Sequence, residues 1–91
     1  MNNNENKTLL EFPCDFAIKV IGKNSENFVD EIVEIIKQIY ADDIQQEKIT
    51  QRSSKTSQYI AVTIEITATS QDQLNKIYTA LSKHDDVTMT L

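Results

Sequence analysis

Cysteine occurs once in this chain, at Cys14. A single thiol excludes an internal disulfide, a CxxC redox pair and a cysteine-rich zinc site, so nothing calls for an oxidising compartment. Basic residues are also in deficit, 9 against 14 acidic, for a net charge of −5. That field repels phosphate backbones and anionic lipid surfaces unless the cations cluster, and along the sequence they do not. Neither nucleic acid nor membrane is therefore an expected partner. No apolar run approaches the roughly 20 residues that cross a bilayer, and the Asn-rich start Met1 to Lys7 has no signal-peptide core. A cytoplasmic location is expected.

What is present is ordinary for a folded protein: 40% apolar and 25% charged residues over 91 positions, enough for one core and too few for two. Residues 1–8 are polar and without pattern and read as a disordered tail. The domain is expected over 9–91. Cys14, Phe16, Ile18 and Val20 alternate with Asp15 and Lys19, the period of a half-buried strand that the only glycine, Gly22, ends. Lys23, Asn24 and Ser25 offer helix caps, and from Phe28 to Tyr40 the period becomes 3.6, with Phe28, Ile32, Ile35, Ile36 and Ile39 on one side. Asp42 and Asp43 suit a helix C-terminus poorly, which predicts its end at or before them.

Ile44 to Arg52 is mostly polar and reads as an edge strand. After the loop 53–57 comes the strongest alternation: Ile60, Val62, Ile64, Ile66 and Ala68 one way, Tyr59, Ala61, Thr63, Glu65 and Thr67 the other. Ser70 with Gln73 forms a capping box before Leu74, Ile77, Tyr78 and Leu81 at helical spacing. Asp85 and Asp86 make a turn, and Val87, Met89 and Leu91 alternate with Thr88 and Thr90 as a last strand. The order βαββαβ, with strands one and three most apolar, predicts an α+β, ferredoxin-like split βαβ sandwich: a four-stranded antiparallel sheet with two helices on one face. The uncovered face should carry Ala17, Lys19, Ile21, Ala61, Thr63, Glu65 and Thr88, and it is the expected interaction face.

This fold hosts many activities, so each is tested at its own residues. A single-stranded RNA reader needs aromatics on the open face of strands one and three, where this chain has Ala17, Lys19, Ala61, Thr63 and Glu65, with Tyr59 at the rim. A soft-metal carrier needs paired thiolates in the first loop, and Cys14 is alone. An acylphosphatase-like enzyme needs an arginine in the loop after strand one, whereas the only arginine is Arg52. Lys23 beside helix-start amides has the chemistry to hold a small anion, although a loop that only turns the chain and caps the helix explains the same residues. His84 has no nucleophile beside it and reads as a surface residue, and Cys14 reads as a small core hydrophobe. The acidic pairs Asp42, Asp43 and Asp85, Asp86 read as solvated turns. No catalytic residue, metal or cofactor is expected, and the protein is not expected to be an enzyme.

Leu9, Leu10, Glu11, Phe12 and Pro13, followed by Phe16, Lys19, Val20, Ile21 and Gly22, resemble the opening of the small bacterial YbeD-like proteins. Ser53, Ser54, Lys55, Tyr59, Val62, Thr63, Ile64, Ala68 and Thr69 resemble the middle of that family, and Tyr78, Leu81, Asp86, Val87, Met89 and Leu91 its end. The resemblance implies the split βαβ fold, no established enzymatic activity, a label of lipoate-metabolism regulator, and likeness to ACT-type domains, which bind amino acids and pair side by side. Many relatives have a glycine soon after the lysine, where this chain reads Thr56, Ser57, Gln58. ACT-type domains hold ligands at a glycine turn after strand one, which points to Gly22, Lys23, Asn24 and Ser25, without the proline and aspartate that usually accompany that glycine. The expected function is a non-catalytic regulatory or protein-interaction module, a homodimer with a protein partner. The alternative is an ACT-like sensor of an amino acid or small anion.

Overall fold

In the computed structural model the described residues are 10–91, so the tail expected over 1–8 lies outside the described residues. Strand β1 spans Cys14–Lys23, with Ile18, Val20 and Gly22 buried on one side. It runs one residue past Gly22, because Gly22 pairs with Ile60 on one neighbour and Val87 on the other. The glycine is required by close approach: a Cβ there would stand 2.5 Å from the Asp86 carbonyl oxygen and 2.6 Å from Cε1 of Phe28.

Helix α1 spans Phe28–Tyr40 and buries Phe28, Ile32 and Ile36. It starts later than the cap residues suggested. The Asn24 amide donates to Gln58 O (3.0 Å) and its Nδ2 to Ser57 O (3.0 Å), so this cap former is committed to the following hairpin. Asn27 takes the N-cap position with no side-chain cap, and Asp30 and Glu31 supply the negative charge that the first turn favours. The helix ends before Asp42 as expected, on Ala41 in the left-handed region (φ 61°), whose N–H donates to Lys37 O at 2.8 Å.

The polar stretch that follows divides in two. Gln46–Lys48 form one 3₁₀ turn, and strand β2 covers only Ile49–Ser53. The turn lets both Ile44 and Ile49 pack against the core although a single strand would put them out of phase. Strand β3, Tyr59–Ala68, follows the alternation residue for residue, burying Ile60, Val62, Ile64, Ile66 and Ala68. Helix α2, Gln71–Ser82, is capped by Ser70 Oγ, which accepts from Gln73 N–H at 3.0 Å. The Gln73 side chain reaches Thr69 N–H (2.9 Å) rather than that of Ser70, so the box closes one residue early. Strand β4 is Val87–Thr90.

The sheet order is β2-β3-β1-β4, antiparallel throughout, with the two apolar strands central as the hydrophobicity gradient requires. This is the ferredoxin-like α+β arrangement. Its core is one cluster, in which Ile18, Val20, Phe28, Ile32, Ile36, Val62, Ile64, Ile77 and Leu81 lose all solvent contact, each burial contributing about 1.5–3 kcal/mol. Among the described residues no polar or charged side chain is buried with them.

One register departs from the simple alternation. Val20 and Ile21 face Thr90 and Met89, but Gly22 faces Val87, so a bulge adds Thr88 to β4. Val87 and Thr90 point to the core side, while Met89, opposite Ile21, points to the uncovered face. Leu91 joins it there, exchanging backbone hydrogen bonds with Lys19 (3.3 and 2.8 Å). That edge carries Met89 and Leu91, which the simple alternation does not place there, and Thr88 is the exposed residue of the bulge that pairs with neither Ile21 nor Gly22.

Candidate functional site

The uncovered face follows from the registers. One row across the sheet reads Arg52, Ala61, Ile21, Met89, and the next reads Thr50, Thr63, Lys19, Leu91. Beyond the first row lie Tyr59 and Lys23; beyond the second come Glu65 with Ala17, then Thr67 with Asp15. Of the seven residues expected on this face, six, Ala17, Lys19, Ile21, Ala61, Thr63 and Glu65, therefore share one surface. Small side chains at 61 and 63 between longer neighbours leave a shallow hollow of about 360 Å³. Lys19, Ile21, Arg52, Ala61, Thr63 and Leu91 are among its lining residues.

Two features of this face were not visible in the sequence. Tyr59, Met89 and Leu91 stand 44%, 49% and 61% exposed, an apolar group that the bulge completes. Lys19, Lys23 and Arg52 converge here although they are scattered along the chain, and none is in an ion pair among the described residues. The lysine–carboxylate pairs that form among the described residues lie elsewhere or at the far end: Lys37–Asp43 (3.9 Å), Lys76–Asp72 (3.2 Å), and Lys48–Glu65 (3.8 Å). No local signal marks Arg52 or Met89, because only long-range register places them beside Ala61 and Ile21.

The loop at Gly22, Lys23, Asn24 and Ser25 presents a different picture. Gly22 is buried beneath the Phe28 ring. The amides of Lys23, Asn24 and Ser25 donate to Asp86 O (2.9 Å), Gln58 O (3.0 Å) and Lys23 O (2.9 Å), which leaves these three with internal partners. Of the four residues, the Lys23 and Ser25 side chains remain as exposed polar groups that the loop does not use.

His84 is better held than a surface residue. Its Nδ1 accepts from Asp86 N–H (3.1 Å), so Nε2 carries the proton of the neutral ring and donates to Glu31 Oε1 at 2.7 Å. The ring stands edge-on to Phe28, centroids 5.6 Å apart. Its role is to lock the α2–β4 turn onto α1. Cys14 is half-buried against the core. A second cleft, about 220 Å³, has Asp15, Tyr40, Asp43, Lys48 and Glu65 among its walls. Its groups answer one another: Tyr40 Oη accepts from Thr67 N–H (3.1 Å), and Lys48 faces Glu65. Tyr78 Oη donates to Leu91 O (2.8 Å), and burial raises its pKa above the usual tyrosine value. Among the described residues no three His, Cys, Asp or Glu side chains are grouped to hold a metal, and no helix is long and apolar enough to cross a membrane.

The architecture and its uncovered face define a small ferredoxin-like α+β protein, and comparison with known proteins places it further. Residues 7–91 match the family described as protein of unknown function DUF493, and the chain belongs to that family. This is the YbeD-like family that the sequence resembles. A UPF0250 protein of Nitrosomonas europaea is 41% identical, covering 93% of this chain and 97% of its own. A UPF0250 protein of Neisseria gonorrhoeae is 38% identical over 100% of both chains. The solution structure of protein HP0495 from H. pylori covers 100% of this chain and 94% of its own with TM-score 0.71, and at 20% identity that likeness speaks to the fold.

Proposed function

We propose that the protein is a non-catalytic interaction module whose working surface is the uncovered face of the sheet. The observation that carries this reading is the placement of exposed apolar side chains. Of the four large hydrophobic residues most exposed to water, Leu10, Tyr59, Met89 and Leu91, the last three lie on this face around Ile21 and Ala61. A cluster of that kind, with a polar surround and no helix over it among the described residues, has the composition of a protein-binding patch. A regulatory role follows if the partner's activity changes on binding.

The test is a photo-crosslinking amino acid placed at position 61 and, separately, at Asn75 on the exposed side of α2, in cells of the native host. Adducts are expected from position 61, lost when Met89→Glu is added, and absent from position 75. Adducts of equal yield from both positions, or from 75 alone, would count against the sheet face.

A further inference from the structure

The charge on the uncovered face identifies the chemistry of its occupant, an inference that rests on the reading above. The chain carries −5 overall, yet among the described residues the charged side chains that line the hollow, Lys19 and Arg52, are both cationic and in no ion pair. Lys19 stands between Thr63 and Leu91, and Arg52 stands opposite Ala61, on either side of the apolar floor formed by Ile21 and Ala61. Lys23, beside Tyr59, extends the positive end. The carboxylates of β1 and β3 on this face, Asp15 and Glu65, lie toward the other end of those strands. Glu65 is already opposed by Lys48 at 3.8 Å, and Asp15 is within 3.5 Å of the Thr67 hydroxyl. An acidic protein that gathers unpaired cations around its exposed apolar patch has a surface complementary to negative charge flanking apolar groups.

We infer that this face receives an extended acidic segment of a partner protein, with carboxylates against Lys19 and Arg52 and an apolar side chain seated on Ile21, Ala61 and Leu91. Arg52 is suited to a bidentate carboxylate contact, and Lys19 to a single charged one. A second copy of this chain is disfavoured as occupant. A two-fold contact centred on the hollow would bring each Lys19 toward its own copy, and like charges at the centre of an interface oppose association. Nucleic acid also meets cations, but here the net charge is adverse and the face offers one rim tyrosine in place of a stacking platform.

The experiment is an NMR titration of the full chain with four probes at millimolar concentration. Three are peptides of one alternating design, glutamate with leucine, lysine with leucine, and serine with leucine; the fourth is a short single-stranded oligoribonucleotide. The glutamate peptide is expected to give saturable shifts at residues 19, 21, 52, 61, 63 and 91. Lys19→Glu and Arg52→Glu should each weaken it by about tenfold and make the lysine peptide the better ligand. The proposal is overturned if the serine or lysine peptide binds wild type as well, if the oligoribonucleotide shifts the same amides at lower concentration, or if the glutamate peptide gives no saturable shift. It is equally overturned if sedimentation equilibrium at micromolar concentration shows a dimer that Ala61→Arg dissolves. Crosslinking from position 61 to a partner would survive any of the first three results, so failure of the acidic assignment is separable from failure of the face itself.

Discussion

Replacing Gly22 by alanine tests how the first strand, the first helix and the α2–β4 turn are joined. The added methyl would lie 2.5 Å from the Asp86 carbonyl oxygen and 2.6 Å from Cε1 of Phe28, both well inside van der Waals contact. Neither neighbour yields easily. Asp86 O accepts from Lys23 N–H at 2.9 Å, and its own amide is tied to His84, while Phe28 has no exposed surface and packs edge-on against His84. Overpacking of a rigid site costs about 1–3 kcal/mol, occasionally more, and with two unyielding neighbours the upper end applies. Alanine returns about 0.5–1 kcal/mol through the unfolded chain, so the net cost is about 2–2.5 kcal/mol.

With a urea slope of about 1 kcal/mol/M for a domain of this size, the unfolding midpoint should fall by about 2–2.5 M at unchanged slope. Far-UV circular dichroism suits the measurement, since the chain has no tryptophan. A double variant with Phe28→Leu supplies the control, because removing the ring relieves part of the overlap. Its loss should be smaller than the sum of the two single losses by about 1 kcal/mol. A Gly22→Ala protein within about 0.5 kcal/mol of wild type, with additive behaviour in the double variant, would refute the packing account of this glycine.

Three further outcomes are expected. Ala41→Gly relieves a left-handed residue at the end of α1 (φ 61°) and should stabilise by about 0.5 kcal/mol after the entropy of glycine is set against it, as a urea midpoint will show. Ser70→Ala removes the acceptor of Gln73 N–H and should cost about 1 kcal/mol, read from the same transition. Burial raises the pKa of Tyr78, so its neutral form is favoured in the folded state. The associated stability is fully present below the ordinary value near 10 and is lost as pH rises through the higher folded value. Unfolding free energy should therefore fall more steeply above about pH 10 in wild type than in Tyr78→Phe. Parallel pH profiles would contradict that reading.

The fold was legible where a side-chain period and burial coincide. β3 and α2 follow their patterns almost residue for residue, and the gradient from apolar β1 and β3 to polar β2 gave the strand order. The misses occur where a distant partner decides a local question. Asn24 is a good cap former in sequence, but its amide and side chain are engaged by Gln58 and Ser57, and the helix starts at Phe28 instead. The loop 53–57, read only as a loop by composition, turns through a left-handed residue at Ser57 (φ 61°). Cation clustering was invisible because Arg52 reaches the row of Ile21 only through the pairing of β2 with β3 and of β3 with β1.

The last strand shows most clearly how a local irregularity changes what a surface offers. Read by period alone, Val87, Met89 and Leu91 form one apolar side and Thr88 and Thr90 one polar side. The bulge beside Gly22 breaks that phase, so that Val87 and Thr90 turn inward while Met89 and Leu91 turn to water. Burial of side chains of this size contributes about 1.5–3 kcal/mol each, and about half of that gain is forgone by residues 49% and 61% exposed. Stability alone would favour the opposite choice, with threonine outside and the larger apolar residues beneath α2. The register instead places two apolar side chains at the β4 edge of the uncovered face, next to Ile21 and Lys19. That arrangement is poorly explained by folding and well suited to a surface that closes on a partner.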